Sequence, residues 1–219
     1  MTKQTTAIDD EAPLDPAAML ALSEREQQRI ATAFVRPVAW LLAVWGVAWT
    51  IGFLVFWAGY PESGAPVLVP LGIAAPVFGV CIAAAIVVSA VIGARMNRGI
   101  RGSSNFSGGV YGASWTIGSI AVWLIGTALI RAGMPHDVAM LFFPAGYALM
   151  VGLLYIAGAA IWQAKEQLVL GIWITAVGVG ATFAGFPTNL LVMGVLGGGG
   201  FLVGAIAIPL ILRGRGRRG

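Results

Sequence analysis

Six apolar blocks of roughly twenty residues follow one another along this chain, separated by short polar or charged breaks. They fall near 38–60, 67–94, 109–131, 138–162, 168–186 and 190–212. As helices they have the length needed to cross about 30 Å of hydrocarbon. The breaks are Tyr60-Pro61-Glu62-Ser63-Gly64, Arg95 to Gly108, Arg131 to Asp137, Lys165-Glu166-Gln167 and Phe186-Pro187-Thr188-Asn189, rich in the residues that punctuate helices. The pattern predicts an all-α, polytopic integral membrane protein with six transmembrane helices.

Ahead of the first block, residues 1–14 are polar and acidic and are expected to be unstructured. Asp15-Pro16 suits a helix start, because Asp can cap free amides and Pro fits the first helical position. A short helix is therefore expected from Pro16 to about Phe34, with Met19, Leu22, Ile30 and Phe34 roughly on one face and Glu24, Arg25, Glu26 and Arg29 at pairing distance. Glu26 interrupts the apolar face, so a lead-in resting on the membrane surface is favoured over a partner-binding helix. The division expected is a segment 1–36, a membrane domain 37–212 and a basic tail 213–219.

Two blocks share an element. Val44-Trp45-Gly46-Val47-Ala48-Trp49-Thr50-Ile51-Gly52, with Trp57, recurs as Val110-Tyr111-Gly112-Ala113-Ser114-Trp115-Thr116-Ile117-Gly118, with Trp123. The copies lie in the first and third blocks, which run in the same direction, so a two-helix hairpin is the natural repeated unit. Pro70-x-Gly72 and Pro144-x-Gly146 extend the match to blocks two and four, and Gly171 to Thr175 offers a looser echo in block five.

Composition supports membrane residence: 58% of residues are hydrophobic and 10% are charged, where a soluble domain carries about 25% charged residues. Charge then sets direction. With the N-terminus inside, the cytoplasmic segments hold Lys3, Arg25, Arg29, Arg36, Arg95, Arg98, Arg101, Lys165, Arg213, Arg215, Arg217 and Arg218, and the outer loops hold only Arg131. The positive-inside rule places both termini in the cytoplasm, in the cell membrane. The net charge of +4 then reports orientation, with no nucleic-acid partner implied. Residues 1–36 lack the basic start and short apolar core of a secretory signal. Cys81 is the only cysteine and lies within a block, so no disulfide framework is expected.

Candidate chemistry is sparse. Trp49 and Trp115 lie too deep for the interfacial belt where tryptophan collects. With Thr50 and Thr116 they suggest an aromatic-walled cavity for an apolar or cationic small molecule. The competing reading, helix packing, draws on the small-residue pairs Gly46–Thr50, Ala48–Gly52, Gly112–Thr116 and Ser114–Gly118 and is favoured. Gly197, Gly198, Gly199 and Gly200 signal either a broken helix that lines a site or a groove for a neighbouring helix, again with packing favoured. No Lys-Ser or Lys-Thr follows them, so they are not a phosphate loop. No ionisable residue lies centrally in any block, which disfavours proton-coupled carriers and voltage sensors. His136, the only histidine, sits beside Asp137, suits the start of the fourth helix, and cannot supply three metal ligands. Neither enzyme chemistry nor a cofactor or metal is implied. Arg213, Arg215, Arg217 and Arg218 are placed to anchor the last helix and attract anionic headgroups.

The stretch Ala21-Leu22-Ser23-Glu24-Arg25-Glu26, the core Trp45-Gly46-x-Ala48-Trp49, and Gly185 to Met193 leading into Gly197–Gly200 together resemble a group of uncharacterised six-span membrane proteins of high-GC Gram-positive bacteria, often labelled as transporters. The resemblance runs from about Asp15 to the end and implies a class without site residues. The leading expectation is a transporter, or a component associated with one, for an apolar or weakly polar molecule. The alternative is a membrane scaffold or sensor working through its helix faces and N-terminal segment. Expected partners are the lipid bilayer and either a membrane protein or a second copy of this chain.

Overall fold

The computed structural model describes residues 16–96 and 103–215, and all regular structure among them is helical. In chain order these are α1 (Pro16–Trp57), a 3-10 turn (Pro61–Ser63), α2 (Leu71–Met96), α3 (Ser103–Arg131), α4 (His136–Trp162) and α5 (Lys165–Ala184). A sixth span follows in three parts: α6 (Thr188–Val192), a π turn (Met193–Gly198) and α7 (Gly199–Arg215). Six stretches are long and apolar enough to cross a membrane: Arg36–Trp57, Leu71–Arg95, Phe106–Arg131, His136–Trp162, Lys165–Ala184 and Thr188–Ile211. They match the six apolar blocks to within a few residues at each end. Among the described residues the chain is all-α, with six helices long and apolar enough to cross a membrane.

Several details differ from the sequence reading. The helix expected from Pro16 to Phe34 is not separate: α1 runs unbroken through Pro37 to Trp57, so the expected boundary at residue 36 falls inside a helix. Proline removes one backbone hydrogen bond from a helix interior. Here that loss falls beside Arg36, where the apolar span begins. The chain before the second span, 64–70, lies outside regular structure, with Val69 N–H donating to the Ala58 carbonyl at 2.9 Å. The break drawn from Arg95 to Gly108 shortens, since α2 reaches Met96 and α3 begins at Ser103. The expected unstructured stretch 1–14 lies outside the described residues, as do Arg217 and Arg218, while Arg213 and Arg215 lie at the end of α7. His136 does open α4, with Asp137 in its first turn.

Packing is uneven. α4 lies along α5, α1 lies against α2 and against the π turn and α7, and α3 rests on α4. Small residues set the closest crossings. A Cβ on Gly152 would collide with Thr175 Oγ1 and come within 2.8 Å of the Gly171 carbonyl, and one on Gly171 within 2.8 Å of the Gly152 carbonyl. Backbones this close are how helices associate where lipid removes the hydrophobic drive between them. Only 6% of the apolar window of α2 or of α3 is buried, against 33% for the first and fifth spans. α2 and α3 therefore form the periphery and present apolar side chains outward.

One end of the bundle is tied by rings and one amide. Tyr60 packs edge-on against Phe186 at 4.6 Å and lies 6.3 Å from the His136 ring. Its hydroxyl, raised in pKa by burial, stays protonated and donates to Met140 Sδ at 3.6 Å. The buried Asn189 donates from Nδ2 to the Met140 carbonyl at 2.8 Å, which joins the sixth span to α4.

Candidate aromatic cavity

Trp45 and Trp49 are four residues apart on α1 and so share a helix face. The same spacing aligns Val151 and Tyr155 on α4. These four, with Trp115 from α3 and Phe201 from α7, line a small, partly open cavity of about 30 Å³. That is room for one or two waters, and a small-molecule site needs far more. None of the six lining residues is charged. The polar atoms they bring are indole nitrogens and the Tyr155 hydroxyl, so the wall suits an apolar or weakly polar guest.

The rings form a continuous edge-to-face chain through the bundle. Phe53 meets Trp49 at 5.5 Å, Trp49 meets Phe201 at 5.2 Å, and Phe201 meets Tyr155 at 6.0 Å. Tyr155 then meets Trp115 at 5.7 Å, and Trp115 meets Tyr111 at 6.0 Å. Such pairs prefer this geometry because a ring's positive edge faces another's negative face. Two hydrogen bonds hold the periphery: Trp45 Nε1 donates to Ser89 Oγ on α2 at 2.9 Å, and Gln167 Nε2 donates to the Tyr111 hydroxyl at 3.2 Å.

The chain matches no family model, no curated protein and no solved structure. Function must be read from this geometry.

The residues singled out in the sequence separate into two groups. Trp49 and Trp115 both face the cavity, although α1 and α3 share no extended interface. The others do not line it. Thr50 lies against Gly198, with its hydroxyl buried and lacking a hydrogen-bond partner. Thr116 is exposed, on a face of α3 turned away. Gly197 lies against the Trp49 ring and Gly200 against Trp173, whereas a Cβ on Gly199 would meet nothing within 4 Å. The glycine run therefore carries no break in the helix. It carries a π turn, held by Trp173 Nε1 donating to the Leu196 carbonyl at 3.0 Å.

The two stretches alike in sequence also differ in use. Gly46 is pressed by Leu202, but Gly112 has open space around it. Pro70 precedes α2, whereas Pro144 lies inside α4. Trp45, Val151, Tyr155 and Phe201 complete the wall and were not singled out from sequence. A signal existed for Trp45, one helical turn before Trp49 in the same element. Val151, Tyr155 and Phe201 had none, because aromatic and aliphatic residues on an apolar helix occur on inward and outward faces alike.

Proposed function

We propose that this protein is a transporter, or the membrane component of one, and that the aromatic cavity handles an apolar or weakly polar small molecule. One observation carries the reading. The tryptophans of the two duplicated elements, sixty-six positions apart in the chain, meet at one uncharged cavity with Trp45, Tyr155 and Phe201. The resemblance to six-span proteins labelled as transporters points the same way. The charge bias supports an orientation with both termini in the cytoplasm of a bacterial cell, and a basic C-terminal end at the inner lipid surface.

Trp115 is the better test of the site, because it is half-buried and its removal spares the core around Trp49. In proteoliposomes screened with a panel of labelled neutral solutes, one or more should show protein-dependent flux. Trp115→Ala should lower that flux about two- to ten-fold at low solute, since a ring contact is worth roughly 0.5–1.5 kcal/mol. Flux equal to that of empty liposomes for every solute, from folded protein, would remove the transport reading. Equal flux in folded Trp115→Ala would move the site elsewhere.

Orientation has its own measurement. In a Cys81→Ala background, Ser103→Cys should resist a membrane-impermeant thiol reagent in intact cells and react after lysis. Rapid labelling of intact cells would invert the assignment.

A further inference from the structure

We propose that the sixth span has a second register: relaxing its π turn to α-helix puts Gly200 in the place of Phe201 and opens the aromatic cavity. The inference rests on reading that cavity as the ligand site, and it supplies what the closed geometry lacks, a way to admit a guest larger than water.

A π turn carries one more residue than the α-helical path it replaces, because its hydrogen bonds reach one residue further. Straightening it turns everything beyond by one residue, about 100° about the axis. The displacement builds up across Met193–Gly198 and is complete at Gly199, where α7 begins. Each site along α7 is then taken by the preceding residue. Phe201, a 1% exposed residue of the cavity wall, gives way to a residue with no side chain.

Four consecutive glycines make sense on this scheme. In the present register three sites are too crowded for a Cβ: Gly197, 2.9 Å from the Trp49 ring, Gly198 against Thr50 Oγ1 and 2.6 Å from Thr50 N, and Gly200 against the Trp173 indole. Gly199 is not crowded at all, so packing here gives it no reason to be glycine. A one-residue turn brings Gly199 to the Trp173 contact and passes the Thr50 contact from Gly198 towards Gly197. The Thr50 and Trp173 contacts keep a glycine in both registers, and Leu196 turns towards the place Gly197 holds on the Trp49 ring, so that ring must give way as the cavity opens. The movement gives up the edge-to-face pairs of Phe201 with Trp49 and Tyr155, but it costs no polar contact at Thr50. Thr50 Oγ1 has no hydrogen bond to lose, and residues 199–212 are all uncharged and apolar or glycine, so turning α7 puts no polar side chain into lipid. Gly46, which now faces Leu202, offers a notch to Phe201 as it arrives. Trp173 Nε1 bonded to the Leu196 carbonyl is the latch on the closed register.

Gly199→Ala isolates the mechanism. Its methyl group meets nothing in the present register but would strike Trp173 in the second. Spin labels at Ile206→Cys and Ile117→Cys, both exposed, in a Cys81→Ala background in nanodiscs, report the turn as a distance change. At the backbone of residue 206 the turn amounts to about 3.5 Å. The parent should show two distance populations. Gly199→Ala should retain the closed one and reduce the other at least about five-fold, the lower end of an overpacking cost. Trp173→Phe, lacking the latch, should enrich the second. A single population in both the parent and Trp173→Phe overturns the proposal, as does a second population that Gly199→Ala leaves intact. Flux, measured in parallel, separates the two readings. Undiminished flux in Gly199→Ala overturns the gate and leaves the cavity as the site. The expected populations in a protein without flux establish the second register and remove transport.

Discussion

Gly152→Ala will destabilise the protein by about 1–3 kcal/mol or more, while Gly180→Ala, one helix away, will leave it unchanged or slightly more stable. The two substitutions are chemically identical and both lie within helices. In water each would gain roughly 0.8–1.0 kcal/mol of helix propensity. At Gly180 nothing lies within 4 Å of the added carbon, so that gain is not opposed. At Gly152 the carbon collides with Thr175 Oγ1 and lies 2.8 Å from the Gly171 carbonyl and 3.0 Å from Thr175 N. Two of those three atoms are backbone and cannot turn aside, so α4 and α5 must separate, an overpacking cost of typically 1–3 kcal/mol. Because these helices gain no hydrophobic stabilisation from one another in lipid, loss of close contact removes much of what holds them. Denaturation midpoints in mild detergent, compared among wild type and the two variants, measure the difference. Equal midpoints for the two variants would show that α4 and α5 do not cross at Gly152.

Trp49→Ala will cost more stability than Trp115→Ala, although the two occupy matching places in similar stretches of sequence. Trp49 is 4% exposed, meets Phe53 and Phe201 edge-on, and lies over Gly197. Its two ring pairs account for about 1–3 kcal/mol together, and the void left in a packed interior adds a further cavity cost. A soluble protein would also lose a transfer term, but lipid is as apolar as the core, so the loss here is chiefly contact energy. Trp115 also meets two rings, Tyr111 and Tyr155, but at 6.0 and 5.7 Å from a half-buried position, and its loss is buffered by lipid. Thermal unfolding of Trp49→Ala, Trp49→Phe and Trp115→Ala checks this, with Trp49→Phe recovering part of the loss because one ring remains. Trp115→Ala as damaging as Trp49→Ala would mean that the two positions bear equal packing loads.

The glycines show how far the chain could be read unaided. Their abundance signals close helix contact, and the crossing of Gly152 with Gly171 and the seat of Gly198 on Thr50 are such contacts. Which glycines make them is not written locally. Gly46 and Gly112 sit at matching places in two similar stretches, yet one is pressed by Leu202 and the other faces open space. The π turn was equally hidden. Residues 197–200 suggest a weak helix, and only the Trp173 indole reaching the Leu196 carbonyl shows where its backbone departs from α geometry.

From sequence alone come the six apolar helices, their breaks to within a few residues and the start of α4 at His136. All of these follow from length and polarity, which a chain declares residue by residue. Only the tertiary structure decided which helices adjoin, that α2 and α3 stand at the periphery, and that Trp45, Trp115, Tyr155 and Phe201 converge with Trp49 on one cavity. The reason is physical. In a soluble helix an apolar stripe marks the inward face, but a helix between lipid and protein is apolar all round, and its facing is settled by the fit of glycine against ring and backbone.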